Sequence, residues 1–245
     1  MTLAGKHIIV TGGGSGVGAT IAAELNAKGA KVTIMGRQES RLQKQNLPYQ
    51  ICDVTQASAV ADAFEKARAD LGPISAVVAN AGAAESVPFA KISPDQLQDM
   101  LAVNLIGVFN VWQAALADMK SAGWGRLIAV ASTAGLKGYP YVSAYCAAKH
   151  GVVGLTRAVA LELASTDITV NSICPGFTET PLLERSVENI IEKTGMSAEA
   201  AYQSLRAGNP QKRFIQTDEV AAMAVEANSK ATARVRPTTP CFAAQ

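Results

Sequence analysis

Short apolar runs alternate along the chain with longer segments in which apolar residues recur at helical spacing. This alternation predicts βαβ units and a parallel sheet, because each run is apolar enough for burial on both faces of a sheet. Six strands are predicted, at His7 to Thr11, Lys31 to Met35, Tyr49 to Cys52, Ala76 to Ala79, Arg126 to Ala131 and Thr169 to Ile173. The pattern indicates a single α/β domain with a doubly wound parallel sheet.

The segment after the first strand shows the helical part of this pattern. Val17, Ile21 and Leu25 recur every four residues, and Gly29 is a typical helix stop before the next strand. We therefore predict a helix from Val17 to Lys28.

A pair of helices is predicted after the sixth strand. Thr180 and Pro181 combine a hydroxyl cap with a proline in the first turn, and Ser197 caps a second helix that runs to about Ala207. Because the pair follows the carboxyl end of a strand, we expect it to cover a ligand as a lid over 177–210.

Composition excludes several classes of protein. The 245 residues are 49% hydrophobic and 17% charged, and 22 basic residues interleave with 20 acidic ones, so no nucleic-acid partner is expected. The four cysteines and two histidines lack metal-ligand spacing, which predicts no metal site. We see no leader pattern and no apolar run near the roughly 20 residues that span a bilayer, so we expect a cytoplasmic protein without a membrane partner.

A glycine-rich loop separates the first strand from its helix. Glycines let the backbone approach a pyrophosphate closely, and the helix start attracts its negative charge. The loop residues predicted to bind a dinucleotide are Gly12, Ser15, Gly16, Val17 and Gly18. A tight glycine turn with no ligand would use the same residues.

The next strand ends suggest how the rest of a dinucleotide is held. Arg37 stands where an acidic residue would bind a free ribose 2′-hydroxyl, and its guanidinium suits a 2′-phosphate instead. We therefore expect NADP(H) to be preferred, with NAD(H) as the alternative. Further candidates at the same sheet edge are Asp53, Val54, Asn80, Ala81 and Gly82. Arg37 also has the plainer interpretation of a solvated surface residue, and the others that of turn residues.

Tyr145 and Lys149 are four residues apart in an alanine-rich stretch, which places both side chains on one helical face. A phenol with a pKa near 10 is a poor proton donor or acceptor at neutral pH, and a nearby ammonium stabilises its phenolate. Ser132 ends the fifth strand, where its hydroxyl is placed to hold a substrate oxygen, and Asn104 lies in the preceding long helix. Taken singly, each residue also fits a purely structural role.

Together these residues resemble the short-chain dehydrogenase/reductase family. The family motifs T-G-x-x-x-G-x-G, N-A-G, a helical Asn, Ser and Y-x-x-x-K occur here in order, within a match from about His7 to Val225. The resemblance implies that Tyr145 is the catalytic acid/base, that Lys149 binds the nicotinamide ribose and lowers the tyrosine pKa, that Ser132 orients the carbonyl and that Asn104 supports a proton relay. Tyr145 and Ser132 would thus contact the substrate.

The resemblance also implies the fold and further contacts. It predicts a Rossmann-type sheet with strand order 3-2-1-4-5-6 plus a seventh strand, and a homo-oligomer, usually a tetramer. Pro175, Gly176 and Thr178 match the nicotinamide-side segment of the family. The segment that starts at Gly176, with the lid and the stretch from Asn209 to Phe214, is most similar to 3-oxoacyl thioester reductases, polyketide ketoreductases and 3-hydroxyacyl dehydrogenases.

The C-terminal end departs from the family pattern, because residues 229–245 carry prolines and basic residues where a final apolar strand is expected. We therefore assign residues 1–228 to a dinucleotide-binding oxidoreductase domain and expect 229–245 to be a poorly packed tail. The leading hypothesis is an NADP(H)-dependent oxidoreductase of 3-oxoacyl or 3-hydroxyacyl substrates. The alternatives are an NAD-dependent hydroxy-acid or hydroxysteroid dehydrogenase and, in another class, a nucleotide-binding sensor or inactive scaffold.

Overall fold

The sheet organises the fold in a computed structural model that describes residues 3–229. Six strands, all pairing in parallel, lie in the order β3-β2-β1-β4-β5-β6, as predicted. The strands are β1 (His7–Thr11), β2 (Lys31–Gly36), β3 (Tyr49–Ile51), β4 (Ile74–Ala79), β5 (Gly125–Val130) and β6 (Ile168–Ile173). The predicted seventh strand and residues 230–245 of the predicted tail lie outside the described residues, whereas Ser229 is the last residue of a helix.

Helices connect the strands, and three more helices follow β6 within the described residues. They are α1 (Gly16–Ala27), α2 (Glu39–Gln43), α3 (Ala57–Leu71), α4 (Pro94–Leu101), α5 (Gly107–Ala122), α6 (Ser143–Glu162), α7 (Pro181–Thr194), α8 (Ala198–Arg206) and α9 (Thr217–Ser229). The two predicted caps after the sixth strand are confirmed, since the Thr180 and Ser197 hydroxyls accept N–H groups of α7 and α8.

Two buried apolar clusters sandwich the sheet. In β1, Ile9 belongs to the cluster formed with α3, α5 and α6, whereas Ile8 and Val10 belong to the cluster formed with α1 and α9. This alternation is the geometry of a strand buried on both faces, which the unbroken apolar run predicted.

The start of β4 differs from the prediction by two residues. The prediction started the strand at Ala76 because the polar Ser75 interrupts the apolar run. In the structure Ile74 is buried and pairs with His7. Sheet pairing compensates for one polar residue at the strand start, a tertiary effect that the local pattern does not show.

One continuous helical stretch, Pro94–Ala122, is long and apolar enough to cross a membrane by length and composition, although polar residues such as Asn104 and Asn110 interrupt it. It consists of α4, a π-helical turn at Ala102–Ile106, and α5. Core helices pass the same test, and Val111 and Trp112 of this stretch are buried in the core cluster. The stretch is therefore explained by packing against the sheet.

Candidate active site

The glycine loop is packed closely against the ends of two strands. Gly12 and Gly16 have positive φ angles of 66° and 54°, which side chains rarely adopt. A Cβ atom on Gly18 would collide with the Gly12 carbonyl oxygen and the Asn80 side chain. The loop therefore requires glycine at these positions, as the motif predicted.

Thr11 and Asn80 join the ends of β1 and β4. The Thr11 hydroxyl oxygen accepts the backbone N–H groups of Asn80 and Ala81, each at 3.0 Å. The Asn80 side-chain amide donates to the carbonyl oxygens of Thr11 at 3.1 Å and Gly12 at 3.4 Å. Asn80 thus supports the glycine loop, a role that its motif alone did not define, and its contact with a cofactor stays a prediction.

The start of α1 fits an anionic phosphate group. Ser15 occupies the N-cap but its side chain makes no capping hydrogen bond, and the first turn of α1 contains no acidic residue. The positive end of the helix dipole is therefore not neutralised from within the helix. The arrangement fits the pyrophosphate of a dinucleotide.

The strand ends beyond the loop hold a charged pair. The Asp53 carboxylate accepts the backbone N–H of Thr55 at 3.0 Å and its hydroxyl at 2.8 Å. Partial burial raises the pKa of Asp53, but these two hydrogen bonds and the charge of Arg37 outweigh it and lower the pKa. Arg37 and Asp53 therefore share one electrostatic environment at this edge. Val54 is buried, and its carbonyl oxygen accepts the Asn110 side chain at 2.9 Å.

Two residues beside the glycine loop were not singled out by the sequence. A Cβ atom on Gly14 would lie 3.1 Å from the Cβ of Arg41, and the Gln45 side chain donates to the Gly14 carbonyl oxygen at 3.0 Å. Arg41 therefore adds a second guanidinium side chain next to the loop. Only the fold brings these residues together, because they lie about one strand and one helix apart in sequence.

The predicted catalytic residues converge at the carboxyl edge of β5. Ser132 caps the short 3-10 turn Thr133–Gly135 by accepting the Ala134 N–H at 3.1 Å. It also hydrogen-bonds the Tyr145 side chain. The Lys149 ammonium lies 5.6 Å from the centre of the Tyr145 ring.

Burial shifts the pKa of both titratable groups at this edge. Burial raises the pKa of Tyr145 to about 12, although hydrogen bonding to Ser132 acts in the opposite direction. Burial lowers the pKa of Lys149 to about 8. The phenol is therefore protonated and the amine mainly charged at neutral pH. In the protein without cofactor the pKa of Tyr145 is raised, so the predicted lowering of this pKa by Lys149 is not observed there.

Lys149 is fixed by backbone groups. Only 4% of its surface is exposed, and its ammonium donates to the Val130 carbonyl oxygen at 3.0 Å. A Cβ atom on Gly82 would lie 3.7 Å from the same ammonium. The carbonyl group at the end of β5 thus positions this charge, and a side chain at position 82 would approach it.

Asn104 lies in the π-helical turn rather than in regular α-helix. Its side chain is fully buried and pairs with Ala83, donating to the carbonyl oxygen at 2.8 Å and accepting the N–H at 3.3 Å. It also donates to the Met100 carbonyl oxygen at 3.1 Å. π-turns occur frequently at functional sites, and this one holds the segment that follows Asn80–Gly82.

The segment after β6 spans the site. Its Pro175 carbonyl oxygen accepts the Thr133 N–H at 2.9 Å, beside Ser132, while its far end at Thr180 lies 3.5 Å from where a Gly16 Cβ would be. The Thr178 hydroxyl donates to the Gly176 carbonyl oxygen at 3.0 Å. The segment therefore bridges the serine turn and the glycine loop.

Asn209 fixes this segment and was not predicted. Its side chain accepts the Phe177 N–H at 3.0 Å and donates to the carbonyl oxygens of Phe177 at 2.9 Å and Arg213 at 2.7 Å. A Cβ atom on Gly176 would collide with its amide oxygen. The buried amide thus explains why glycine is needed at 176.

Metal-ligating side chains do not cluster in the part of the chain that the structure describes. No group of three or more His, Cys, Asp or Glu residues there is arranged to hold an ion.

Comparison with known proteins agrees with this geometry. The family model described as short chain dehydrogenase matches residues 6–191. D-beta-hydroxybutyrate dehydrogenase of Cupriavidus necator is 37% identical over 244 residues, covering 96% of this chain and 95% of the relative. Acetoacetyl-CoA reductase of Rhizobium meliloti is 36% identical over 190 residues, covering 76% of this chain and 79% of the relative.

A solved structure shares the whole architecture. It is a variant of actinorhodin polyketide ketoreductase with NADPH, with a TM-score of 0.90, 33% identity and coverage of 94% of this chain and 92% of that one. The chain belongs to the short-chain dehydrogenase family and is an oxidoreductase that acts on CH–OH or C=O groups.

Proposed function

We propose that the protein is an NADP(H)-preferring reductase of 3-oxoacyl substrates, working also as a 3-hydroxyacyl dehydrogenase in reverse. The observation that carries the proposal is the convergence of the Tyr145 phenol, the Ser132 hydroxyl and the Lys149 ammonium at the carboxyl end of β5. These three groups supply a proton donor, a carbonyl-orienting hydrogen bond and a fixed positive charge.

Each side chain has a defined part in the reduction. When bound, the reduced nicotinamide supplies a hydride to the carbonyl carbon. Ser132 holds the carbonyl oxygen by hydrogen bonding, and Tyr145 donates its phenolic proton to the oxygen as negative charge develops there. Lys149 stabilises the resulting phenolate, and Asn104 holds the backbone at Ala83 for the proton relay that restores the phenol.

The raised pKa of Tyr145 is consistent with its role as proton donor in the reduction. A phenol with a pKa of about 12 is protonated at neutral pH, so the free protein carries the proton that the reduction consumes.

The cofactor preference rests on the basic residues near the glycine loop. Arg37 follows β2 and Arg41 lies beside Gly14, and guanidinium groups suit a ribose 2′-phosphate. The related ketoreductase was solved with NADPH. Changing Arg37 to Asp would test this preference through the ratio of NADPH to NADH turnover.

Short 3-oxoacyl and 3-hydroxyacyl compounds are the proposed substrate class. Two relatives are named for hydroxybutyrate and acetoacetyl-CoA, whose four-carbon skeletons are at the reduced (alcohol) and the oxidised (ketone) level respectively. NAD-dependent oxidation of a hydroxy acid is the second candidate, favoured by the hydroxybutyrate dehydrogenase relative. Cytoplasmic location and a homo-oligomeric state stay predictions.

A direct assay tests the function. The purified full chain is given acetoacetyl thioesters, 3-hydroxybutyrate, a hydroxysteroid and simple ketones with NADPH or NADH, and reduced-nicotinamide absorbance is followed. We expect the highest kcat/KM for a 3-oxoacyl compound with NADPH. Binding of nucleotide without turnover of any compound would instead favour a sensor or scaffold.

A further inference from the structure

A cavity of about 280 Å³ lies between the loop after β4 and the lid helix α7. Its walls include residues 84–86, Val142 and one face of α7. Val142 precedes Tyr145 by three residues at the start of α6, and Ala84 follows the segment that Asn104 holds. The cavity therefore adjoins the catalytic residues without including them.

The face of α7 toward this cavity is polar and cationic. Arg185, Ser186, Asn189 and Lys193 line it, and their spacing places them along one side of the helix. The apolar residues Leu183 and Val187 are buried instead. Arg185 and Lys193 are exposed to solvent and also line the cavity, so both cations are accessible to a ligand that enters it.

Lys193 bridges the two walls. Its ammonium donates to the Ser86 carbonyl oxygen at 2.5 Å. This hydrogen bond uses one of the three N–H groups of the ammonium. Arg185 donates to the Pro181 carbonyl oxygen at 3.3 Å through Nε, one of five guanidinium N–H groups. Both side chains keep further donor capacity. Glu85 is the one acidic residue in the lining, so the cavity carries one net positive charge.

The exposed residue that precedes the lining residue Val142 has an uncommon backbone conformation. Tyr141, next to Val142, has a φ of 66°, which is uncommon for a residue other than glycine. Its carbonyl oxygen accepts the Val87 N–H at 2.7 Å, joining this residue to the loop after β4. Strain of this kind persists where the surrounding structure enforces it, often at ligand sites.

We propose that Arg185 and Lys193 form an anion-recognition site beside the catalytic residues, which selects 3-oxoacyl substrates that carry a negative charge. The charge is either the carboxylate of a free 3-oxo acid or a phosphate of a thioester carrier, since both accept hydrogen bonds from guanidinium and ammonium groups. This inference rests on the proposed function, and it assigns substrate selectivity to Arg185 and Lys193.

The test compares three substrates that share one reacting group. Acetoacetate carries a carboxylate, acetoacetyl-CoA carries phosphates, and the N-acetylcysteamine thioester of acetoacetate is uncharged. We expect Lys193→Gln and Arg185→Gln to raise KM for the preferred anionic substrate about tenfold, with kcat nearly unchanged. KM for the uncharged thioester should stay within about twofold. A higher KM for acetoacetate would identify the carboxylate as the recognised anion, and a higher KM for acetoacetyl-CoA would identify a phosphate.

Two controls separate charge recognition from other effects. Lys66→Gln removes the same charge from an exposed position on α3 and should leave all three KM values unchanged. Lys193→Arg should restore the preference for the anionic substrate. Raising NaCl should increase KM for the anionic substrate only, because exposed charges are screened by salt.

The outcomes distinguish this site from the function on which it rests. An equal loss with charged and uncharged thioesters would show that Lys193 only bridges the walls, and unchanged KM values would show that the cations bind no substrate; either result overturns the proposal. If the native protein reduces the uncharged thioester, the proposed function stands in both cases. No turnover of any of the three would overturn both.

Discussion

The glycine loop and the segment that covers it are held by different kinds of contact. Backbone atoms of adjacent strand ends surround the loop, so Gly18 is confined by the Gly12 carbonyl and by Asn80. The cover from 175 to 215 is held instead by a short backbone bridge between Thr178 and Ile215, by one buried side chain, Asn209, and by an exposed ion pair between Arg213 and Glu219. The first arrangement leaves a recognisable motif in the sequence, whereas the second depends on contacts between distant residues.

The largest effect is expected where backbone confines the loop. Gly18→Ala places a Cβ atom against a carbonyl that cannot move away, so we expect a loss of about 3 kcal/mol or more in the free energy of unfolding. NADPH affinity should fall at least about a hundredfold, since the loop must shift. Urea denaturation and fluorescence titration measure the two quantities.

Gly154→Ala is the matched control. Gly154 lies within α6, and a Cβ atom there would meet nothing within 4 Å. We expect stabilisation of about 0.5–1 kcal/mol from the better helix former. A Gly18→Ala protein as stable as this control would show that backbone atoms do not confine the glycine loop at position 18.

The buried ammonium at the sheet edge should make stability depend on pH. The pKa of Lys149 in the folded protein, about 8, is below its ordinary value of 10.5, so the unfolded chain binds more protons between these values. The free energy of unfolding should therefore gain up to about 3 kcal/mol from this group as pH rises from 8 to 10.5. Lys149→Met should lack this gain, and parallel pH curves for the two proteins would contradict it.

A smaller effect is expected in the cover. Asn209→Ala removes three hydrogen bonds to Phe177 and Arg213, and the Phe177 N–H and the Arg213 carbonyl oxygen lose the partner that Asn209 supplies, whereas the Phe177 carbonyl oxygen keeps the Ile215 N–H. We expect a loss of about 1–3 kcal/mol in stability and a higher KM for the carbonyl substrate. NADPH affinity should change less than in Gly18→Ala. The exposed Asn26→Ala in α1 serves as the control, and equal behaviour of the two variants would show that Asn209 does not fix the segment.

The smallest effect is expected at the exposed ion pair. Hydrogen bonding from Arg213 lowers the pKa of Glu219 to about 2, so any contribution is present above pH 4.5 and is lost as pH falls toward 2. Because both side chains are exposed to solvent and salt, Arg213→Gln should leave the urea midpoint at pH 7 nearly unchanged. A large shift would mean that this pair, rather than Asn209, holds the cover.

The sequence predicted the sheet well because each strand is an unbroken apolar run. The strand order followed from the family resemblance, and both lid caps were found from hydroxyl residues before helices. The convergence of Ser132, Tyr145 and Lys149 was also predicted, since the carboxyl ends of parallel strands share one edge.

What the sequence did not show depends on contacts between distant segments. Arg41 and Gln45 reach Gly14 only because β2 pairs with β1, and Asn209 reaches Phe177 across the lid. The π-turn at Asn104 was missed because its apolar pattern is that of an ordinary helix. Local periodicity contains no information about these contacts.

The central claim, that Tyr145 donates the proton, is tested most directly by the single-turnover rate of NADPH oxidation with acetoacetyl-CoA in Tyr145→Phe. We predict a loss of about 10²–10⁴-fold in this rate with NADPH affinity unchanged, because the ring remains and only the proton donor is removed. Tyr139→Phe, which changes a neighbouring phenol bonded to Thr133, should keep most of the rate. A Tyr145→Phe protein that reduces the substrate as fast as the native protein would contradict the account.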